Sequence, residues 1–375
     1  MKKRIAVSVS NDLITDQRVR KQCDSLHSAG CELLLLGRLL PGTTAIERPY
    51  RVERFSMLFR RKAFFYAELN IRLFFRLLFA RFDLLYANDL DTLPANALLS
   101  LLRRKPLVYD SHEFFTEVPE IQGRAWVKAI WKLLERTCIA RARLVITVNA
   151  SIARLLRERY GLSEVLVVRN VPDMVPEFQQ GPDRSELDLP EGKKILLVQG
   201  SGINVDRGVE ELISAMAYLP DVLLLLIGRG DALPGLKRQV DEMGIGDRVR
   251  FIDRMPYRQM MAYTACADLG LSLDKPSNIN YRYSLPNKVF DYIAAGIPVM
   301  VSDLVELRRL VEESGVGVIA SSHDPQVLAQ EIGDVLADEA ALSRFRQAAG
   351  KAASRLSWSV EYAGALASIR GLLKG

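Results

Sequence analysis

Cysteine is scarce and scattered. Four occur in 375 residues (Cys23, Cys31, Cys138 and Cys266), none at CxxC spacing. That argues against a disulfide framework or a cysteine-paired zinc site and points to a reducing cytoplasm. Histidine is rarer still, with His27, His112 and His323 alone. No uncharged apolar run reaches about eighteen residues, so no membrane-spanning helix is expected. The apolar stretch after Met1-Lys2-Lys3-Arg4 is too short for a signal peptide. After the first apolar run stands Ser8-Val9-Ser10-Asn11-Asp12 rather than GxGxxG, so a dinucleotide cofactor is not expected. No aromatic RNP pattern or zinc finger accompanies the basic residues, and nucleic acid is not expected as a partner.

What is present is an ordinary globular balance, 49% hydrophobic and 26% charged, in a length that suits two domains. Charge divides unevenly. Residues 1–172 hold 29 Lys plus Arg against 17 Asp plus Glu, and the remainder 22 against 28. A basic half beside an acidic half suggests that one domain meets an anionic surface, such as a bilayer or a phosphorylated acceptor. Short apolar runs alternate with longer helical patterns from Ile5–Ser10 to Val299–Ser302. That alternation predicts an α/β protein whose parallel sheets are covered on both faces. The Pro-rich stretch from Pro172 to Gly192 predicts a linker. The expected division is residues 1–172, a linker over 173–192, a second Rossmann-like domain over 193–357 and a terminal helix over 358–375.

The most informative segment runs from Ser284 to Val299. Pro286 suits the first turn of a helix, Gly296 its stop, and Pro298 forbids continuation. Val289, Phe290, Ile293 and Ala294 share one helical face; Asn287, Lys288 and Asp291 share the other. An amide, a cation and a carboxylate near a helix N-terminus suit a nucleoside diphosphate, whose anion meets free N–H groups while its sugar hydroxyls donate to the carboxylate. A solvated polar face explains the same pattern without any ligand.

Leu285-Pro286-Asn287-Lys288-Val289-Phe290-Asp291-Tyr292, followed by Gly296-Ile297-Pro298-Val299, resembles the nucleotide-sugar motif of family-4 retaining glycosyltransferases. The likeness is to a bacterial branch with an LPNK-type motif. It implies a GT-B fold: two Rossmann-like doubly wound parallel-sheet domains facing a central cleft, with the terminal helix crossing back to the first. It implies that Asp291 binds the donor ribose. Gly200-Ser201-Gly202 through Arg207-Gly208 resembles the family's diphosphate clamp, with Arg207 for the usual lysine and Ser201 where an arginine often lies. Gly228, Arg229 and Met255, in loops after later strands, are placed to line a nucleotide pocket. Eight residues before Asp291 stands Tyr283 rather than the family's first acid. The sugar contact is therefore expected from the segment Asn278–Ser284, including Tyr283 and Ser284.

In the first domain, Asp110-Ser111-His112-Glu113 matches the family position whose histidine approaches the donor sugar, while His27 and His323 read as structural. Asn88-Asp89-Leu90-Asp91 looks like a metal-binding DxD. The resemblance implies metal-independent chemistry, so these acids are expected to shape the acceptor side or cap a helix. Asn11, Asp12 and Arg18 are acceptor-side candidates. The resemblance thus implies transfer of a sugar from a nucleotide-diphosphate donor, UDP favoured, to a hydroxyl, with configuration kept and no further cofactor. His112, Arg207 and Lys288 would carry the chemistry. A sugar-nucleotide 2-epimerase of GT-B fold and a non-catalytic nucleotide-sugar-binding scaffold stay open.

Between Arg51 and Phe82 a helical projection puts Arg54, Arg61, Arg72 and Arg76 on one stripe with Glu68. Phe64, Leu73, Phe74, Leu77 and Leu78 fill much of the rest. This reads equally as a core-packed helix or as one docked on the inner face of an anionic membrane, where a lipid-linked envelope acceptor would be met.

Overall fold

A computed structural model describes residues 2–59, 62–117, 123–173, 176–179 and 181–374. Arg61 of the arginine stripe, and Met174 and Val175 of the Pro-rich stretch, lie outside these. The chain divides into two compact units, residues 2–170 with 361–374, and 171–360.

The first unit is one parallel sheet. Its strands are β1 (Arg4–Ser8), β2 (Glu32–Arg38), β3 (Arg51–Phe55), β4 (Leu84–Asn88), β5 (Leu107–Ser111), β6 (Leu144–Thr147) and β7 (Leu166–Val167), ordered β3-β2-β1-β4-β5-β6-β7. Between them run α1 (Gln17–Ser28), α2 (Lys62–Leu78), α3 (Leu93–Arg103), α4 (Ala125–Ile139) and α5 (Ala150–Tyr160). Every residue of β4 and β5 is buried, as a strand covered on both faces requires. The order reverses between β1 and β4, where the loops leaving a doubly wound sheet part and can receive a ligand.

The strand β3 corrects the sequence reading, which took Arg54 as helical. Arg51-Val52-Glu53-Arg54-Phe55 pairs with β2 at the sheet edge, where a charged strand is tolerated. The helical stripe therefore dissolves. Arg72 pairs with Glu68 at 2.7 Å, and Arg76 reaches Glu53 at 3.2 Å with its guanidinium over the Phe55 ring. Leu73 and Leu77 are core residues, whereas Phe64 is exposed.

The second unit repeats the plan with β8 (Lys194–Gly200), β9 (Val222–Gly228), β10 (Val249–Ile252), β11 (Leu269–Ser272), β12 (Val299–Ser302) and β13 (Gly317–Ala320), ordered β10-β9-β8-β11-β12-β13, all parallel. Its helices are α6 (Val209–Ala215), α7 (Leu233–Met243), α8 (Tyr257–Ala265), α9 (Ile279–Arg282), α10 (Asn287–Ala294), α11 (Val305–Ser314), α12 (Pro325–Ala337) and α13 (Glu339–Arg355), before α14 (Trp358–Lys374). Gly270 on β11 is required by packing, since a Cβ there would meet the Tyr292 ring at 2.4 Å. The Pro-rich stretch is anchored to this unit: Arg184 donates to the Cys266 carbonyl and pairs with Asp268 at 2.7 Å. On α14, Tyr362, Ala365, Ile369 and Leu373 are buried at helical spacing, and Glu361 accepts from the Arg169 backbone and guanidinium.

Candidate functional site

In the second unit, α10 forms where the sequence places it. Val289, Phe290, Ile293 and Ala294 are buried, and Gly296 takes φ +73° just past its end. Tyr292 is buried too; its hydroxyl lies 3.2 Å from the Leu197 carbonyl and 3.3 Å from that of Leu271, tying the helix to β8 and β11. The polar face is not simply solvated. The Lys288 side chain is 11% exposed, and its Nζ lies 4.0 Å from Asp274 Oδ1. From the loop after β8, Arg207 Nη1 meets Asp274 Oδ2 at 3.1 Å, with its guanidinium 4.1 Å over the Tyr281 ring. Asp274, two residues past the end of β11, is fully buried.

Two cations, one from the loop after β8 and one from the first turn of α10, therefore share one buried carboxylate. Burial pulls the Lys288 ammonium below the usual lysine value, Asp274 raises it and Arg207 lowers it further. For Arg207 burial is outweighed by Asp274 and Tyr281, and its pKa rises. Asp291 sits one turn along from Lys288, positioned by two neutral donors: Tyr257 Oη at 2.6 Å and Gln199 Nε2 at 3.3 Å. Gln199 is itself fixed by Thr264, which donates to its Oε1 at 2.7 Å.

Backbone crowds this edge. A Cβ on Gly228 would stand 1.8 Å from the Gly200 carbonyl oxygen, and one on Gly208, at φ +72°, would stand 2.1 Å from that of Leu273. Ser201, Gly202 and Arg229 are exposed there, while Met255, Tyr283, Leu285 and Pro286 are half-buried. Asn287, at the start of α10, is exposed. The Ser284 hydroxyl is buried with no hydrogen-bond partner among the described residues. Asn278 caps α9 through Tyr281 N at 2.9 Å, which commits its side-chain oxygen to structure. Asp274, Gln199 and Tyr257 were missed as site residues, although Asp274 follows an apolar strand by two positions and the strand-end rule applies to it.

In the first unit, the carboxyl edge gathers acids. His112 Nδ1 lies 3.1 Å from Asp89 Oδ2, its backbone N donates to Asp89 Oδ1 at 2.9 Å, and its Nε2 lies 3.8 Å from Asp110. Burial lowers its pKa, but Asp89 and Asp110 outweigh burial and lift it to about 9, so the ring is charged at neutral pH. Asp91 is raised to about 7 by burial and by Asp89. Arg18 is inside the domain rather than on an acceptor surface: it is 3% exposed, grips Asp110 with Nε at 3.2 Å and Nη2 at 2.7 Å, and donates to the Val168 carbonyl at 2.7 Å. Asn11 and Asp12 shape the turn after β1, accepting from Leu13 N and Ile14 N, and Asn11 also donates to Asp16, the α1 cap. His323 lies 3.1 Å from Ser302 Oγ and 3.0 Å from the Leu273 carbonyl, and the His27 ring packs 5.7 Å from Tyr50.

Two family matches cover most of the chain. Glycosyltransferase Family 4 matches residues 16–173, and Glycosyl transferases group 1 matches residues 179–352. Both halves carry glycosyltransferase domains of the GT-B fold. The chain resembles the sucrose-phosphate synthase of Thermosynechococcus elongatus, with TM-score 0.81 over 100% of both chains at 20% identity. It also resembles Anabaena HepE solved with UDP and glucose, with TM-score 0.75 over 99% of this chain and 100% of that one at 19% identity. Among curated proteins it is 24% identical over 66% of its length to a Candida albicans chitobiosyldiphosphodolichol beta-mannosyltransferase. It is 27% identical over 64% to a Xylanimonas cellulosilytica D-inositol 3-phosphate glycosyltransferase. The chain spans 58% of the length of each of these two relatives.

Proposed function

We propose that the protein is a retaining glycosyltransferase that moves a sugar from a nucleotide-diphosphate donor to a hydroxyl acceptor. The observation that carries this reading is the convergence of Arg207 and Lys288 on Asp274 beside Asp291. Two cations held by one carboxylate leave positive charge to spare for an anion, and the carboxylate of Asp291 can accept from ribose hydroxyls. Glycosyl transfer demands stabilisation of the departing diphosphate, which a preorganised Arg and Lys supply. Retention would follow a front-face route in which the leaving phosphate takes the acceptor proton. UDP is the favoured donor nucleotide, since HepE was solved with UDP. The acceptor is a lipid-linked or envelope glycan precursor, met at the inner face of a membrane by a peripheral protein.

Thermal shift across UDP, GDP, ADP and CDP sugars, followed by hydrolysis of the donor that binds, tests the reading. Slow release of free sugar with its anomeric configuration kept supports it. An epimerised sugar nucleotide, or binding without turnover, replaces it with an epimerase or a scaffold; Tyr283 in place of an acid favours the scaffold among these.

A further inference from the structure

Three helices of the first unit turn apolar side chains outward. On α2 and directly after it, Phe64, Ile71, Phe75 and Phe79 are exposed, Phe79 to 83%. On α3 the outward residues are Leu98, Leu101 and Leu102, while Asn96 and Ser100 face inward at 0% and 3% exposure. Leu93 and Leu99 are buried as well, so α3 is apolar on both sides, unlike an ordinary surface helix. On α4, Trp126 is 70% exposed, with Ile130 and Leu133 along the same face. The helices are neighbours. α3 packs against both others, and Tyr66 of α2 meets Trp131 of α4 edge-on at 5.0 Å. Right-handed crossovers from β3 to β4, β5 and β6 in turn put all three on one side of the sheet. Scattered single apolar residues need no explanation, but ten on adjacent helices do.

Charge decides the occupant. The three helices hold two carboxylates, Glu68 and Glu135, and neither looks outward. Glu135 is fully buried and accepts from Tyr109 and Tyr160, and Glu68 accepts from the Leu58 and Phe59 backbone and pairs with Arg72. Among the described residues, the exposed charged side chains of these helices and of the residues that flank α3 and α4 are cationic: Arg104, Arg124 and Arg136, with Arg76, which also pairs with Glu53. A second copy packed on the same face would set cations against cations. We propose that this α2–α3–α4 face docks on an anionic lipid bilayer, its aromatic and leucine side chains entering the headgroup boundary and its arginines meeting lipid phosphates.

The surface uses no residue of the donor site, so its test does not depend on turnover. The full chain is floated with vesicles of phosphatidylcholine alone and of phosphatidylcholine with phosphatidylglycerol. Binding is expected with the anionic vesicles, fading as salt rises. Leu101→Ser with Leu102→Ser, and separately Trp126→Ser with Ile130→Ser, should each lower the partition about tenfold, and Arg104→Glu with Arg136→Glu by a similar factor. These side chains point outward, so the melting temperature and the thermal shift on adding UDP should match the parent. No flotation at low salt would overturn the proposal. So would equal binding by parent and variants, or an oligomer that the Leu101/Leu102 variant dissolves while vesicles bind neither protein.

Discussion

The two units build the same doubly wound sheet and place opposite chemistry at its carboxyl edge. The first surrounds a guanidinium and an imidazole with Asp89, Asp91 and Asp110, all within the β4 and β5 ends and the loop between them. The second surrounds one carboxylate, Asp274, with Arg207 and Lys288. The overall charges run the other way, for the basic half of the sequence owns the acidic edge and the acidic half owns the cationic one. A domain's net charge reports its surface, where long Lys and Arg chains collect; the loops at the strand ends are set independently. The first edge is arranged to hold a proton, the second to hold an anion.

Breaking the cationic edge should have the largest effect. Arg207→Ala and Lys288→Ala are each expected to lower turnover by roughly 100-fold, in the range seen when one preorganised stabilising donor is removed. Charge grows on the diphosphate as the glycosidic bond breaks, so kcat should fall more than donor affinity. Equal losses in binding with turnover intact would assign both residues to ground-state recognition alone. Asp291→Ala should come next, weakening donor binding by about 1–3 kcal/mol with ribose hydroxyls left unpaired. Calorimetry with UDP reads this directly, and an unchanged affinity in a folded variant removes Asp291 from the site.

These residues differ in how plainly the sequence shows them. The α10 segment was legible because its cation, its carboxylate and its buried face lie within eight contiguous residues. Asp274 was not, because its partners come from a loop 67 positions before it and a helix 14 after it, and proximity in space leaves no mark on spacing. The parallel sheets were legible from near-continuous apolar runs, whereas β3 was hidden because an edge strand carries the alternating charges of Arg51, Glu53 and Arg54. The outward leucines of α3 show only in the structure, where Asn96 and Ser100 take buried positions beside Leu93 and Leu99. Arg18 looked available for an acceptor, and the partner that withdraws it, Asp110, lies ninety-two residues on.

The acidic edge breaks differently, through its proton. His112 titrates at about 9 because Asp89 and Asp110 outweigh its burial. Asp89→Asn should therefore bring its midpoint down toward the ordinary 6.5. The sign for stability follows. With the folded value raised, the contribution of His112 is fully present below about 6.5 and is lost as pH rises through 9. Asp91, raised to about 7, acts in the same sense from 3.8 upward. Proton NMR of the imidazole in parent and variant reads the shift, and an unmoved midpoint would mean that Asp89 does not set the charge. Separately, His112→Ala should reduce transfer while leaving binding of the bare nucleotide intact; early melting with specific activity kept would make the residue structural.

The smallest change sharpens the contrast most. Tyr257→Phe removes one hydroxyl, the donor 2.6 Å from Asp291 Oδ1. Burial and Asp291 both drive the pKa of that hydroxyl well above the usual tyrosine value, so it stays protonated and donates throughout the working pH range. Asp291 keeps Gln199 as its second donor, and the ring of residue 257 still packs on Phe178 at 5.8 Å. The expected loss is therefore that of one charge-assisted hydrogen bond at a partly exposed site, about 1 kcal/mol, or several-fold in UDP affinity. Turnover at saturating donor should hold, because the cations on the diphosphate are untouched. The His112 titration should not move either, since no described interaction links it to Tyr257. A variant that loses kcat as strongly as Lys288→Ala would show that orienting Asp291 governs the chemical step, and the cationic edge would then act through geometry rather than charge.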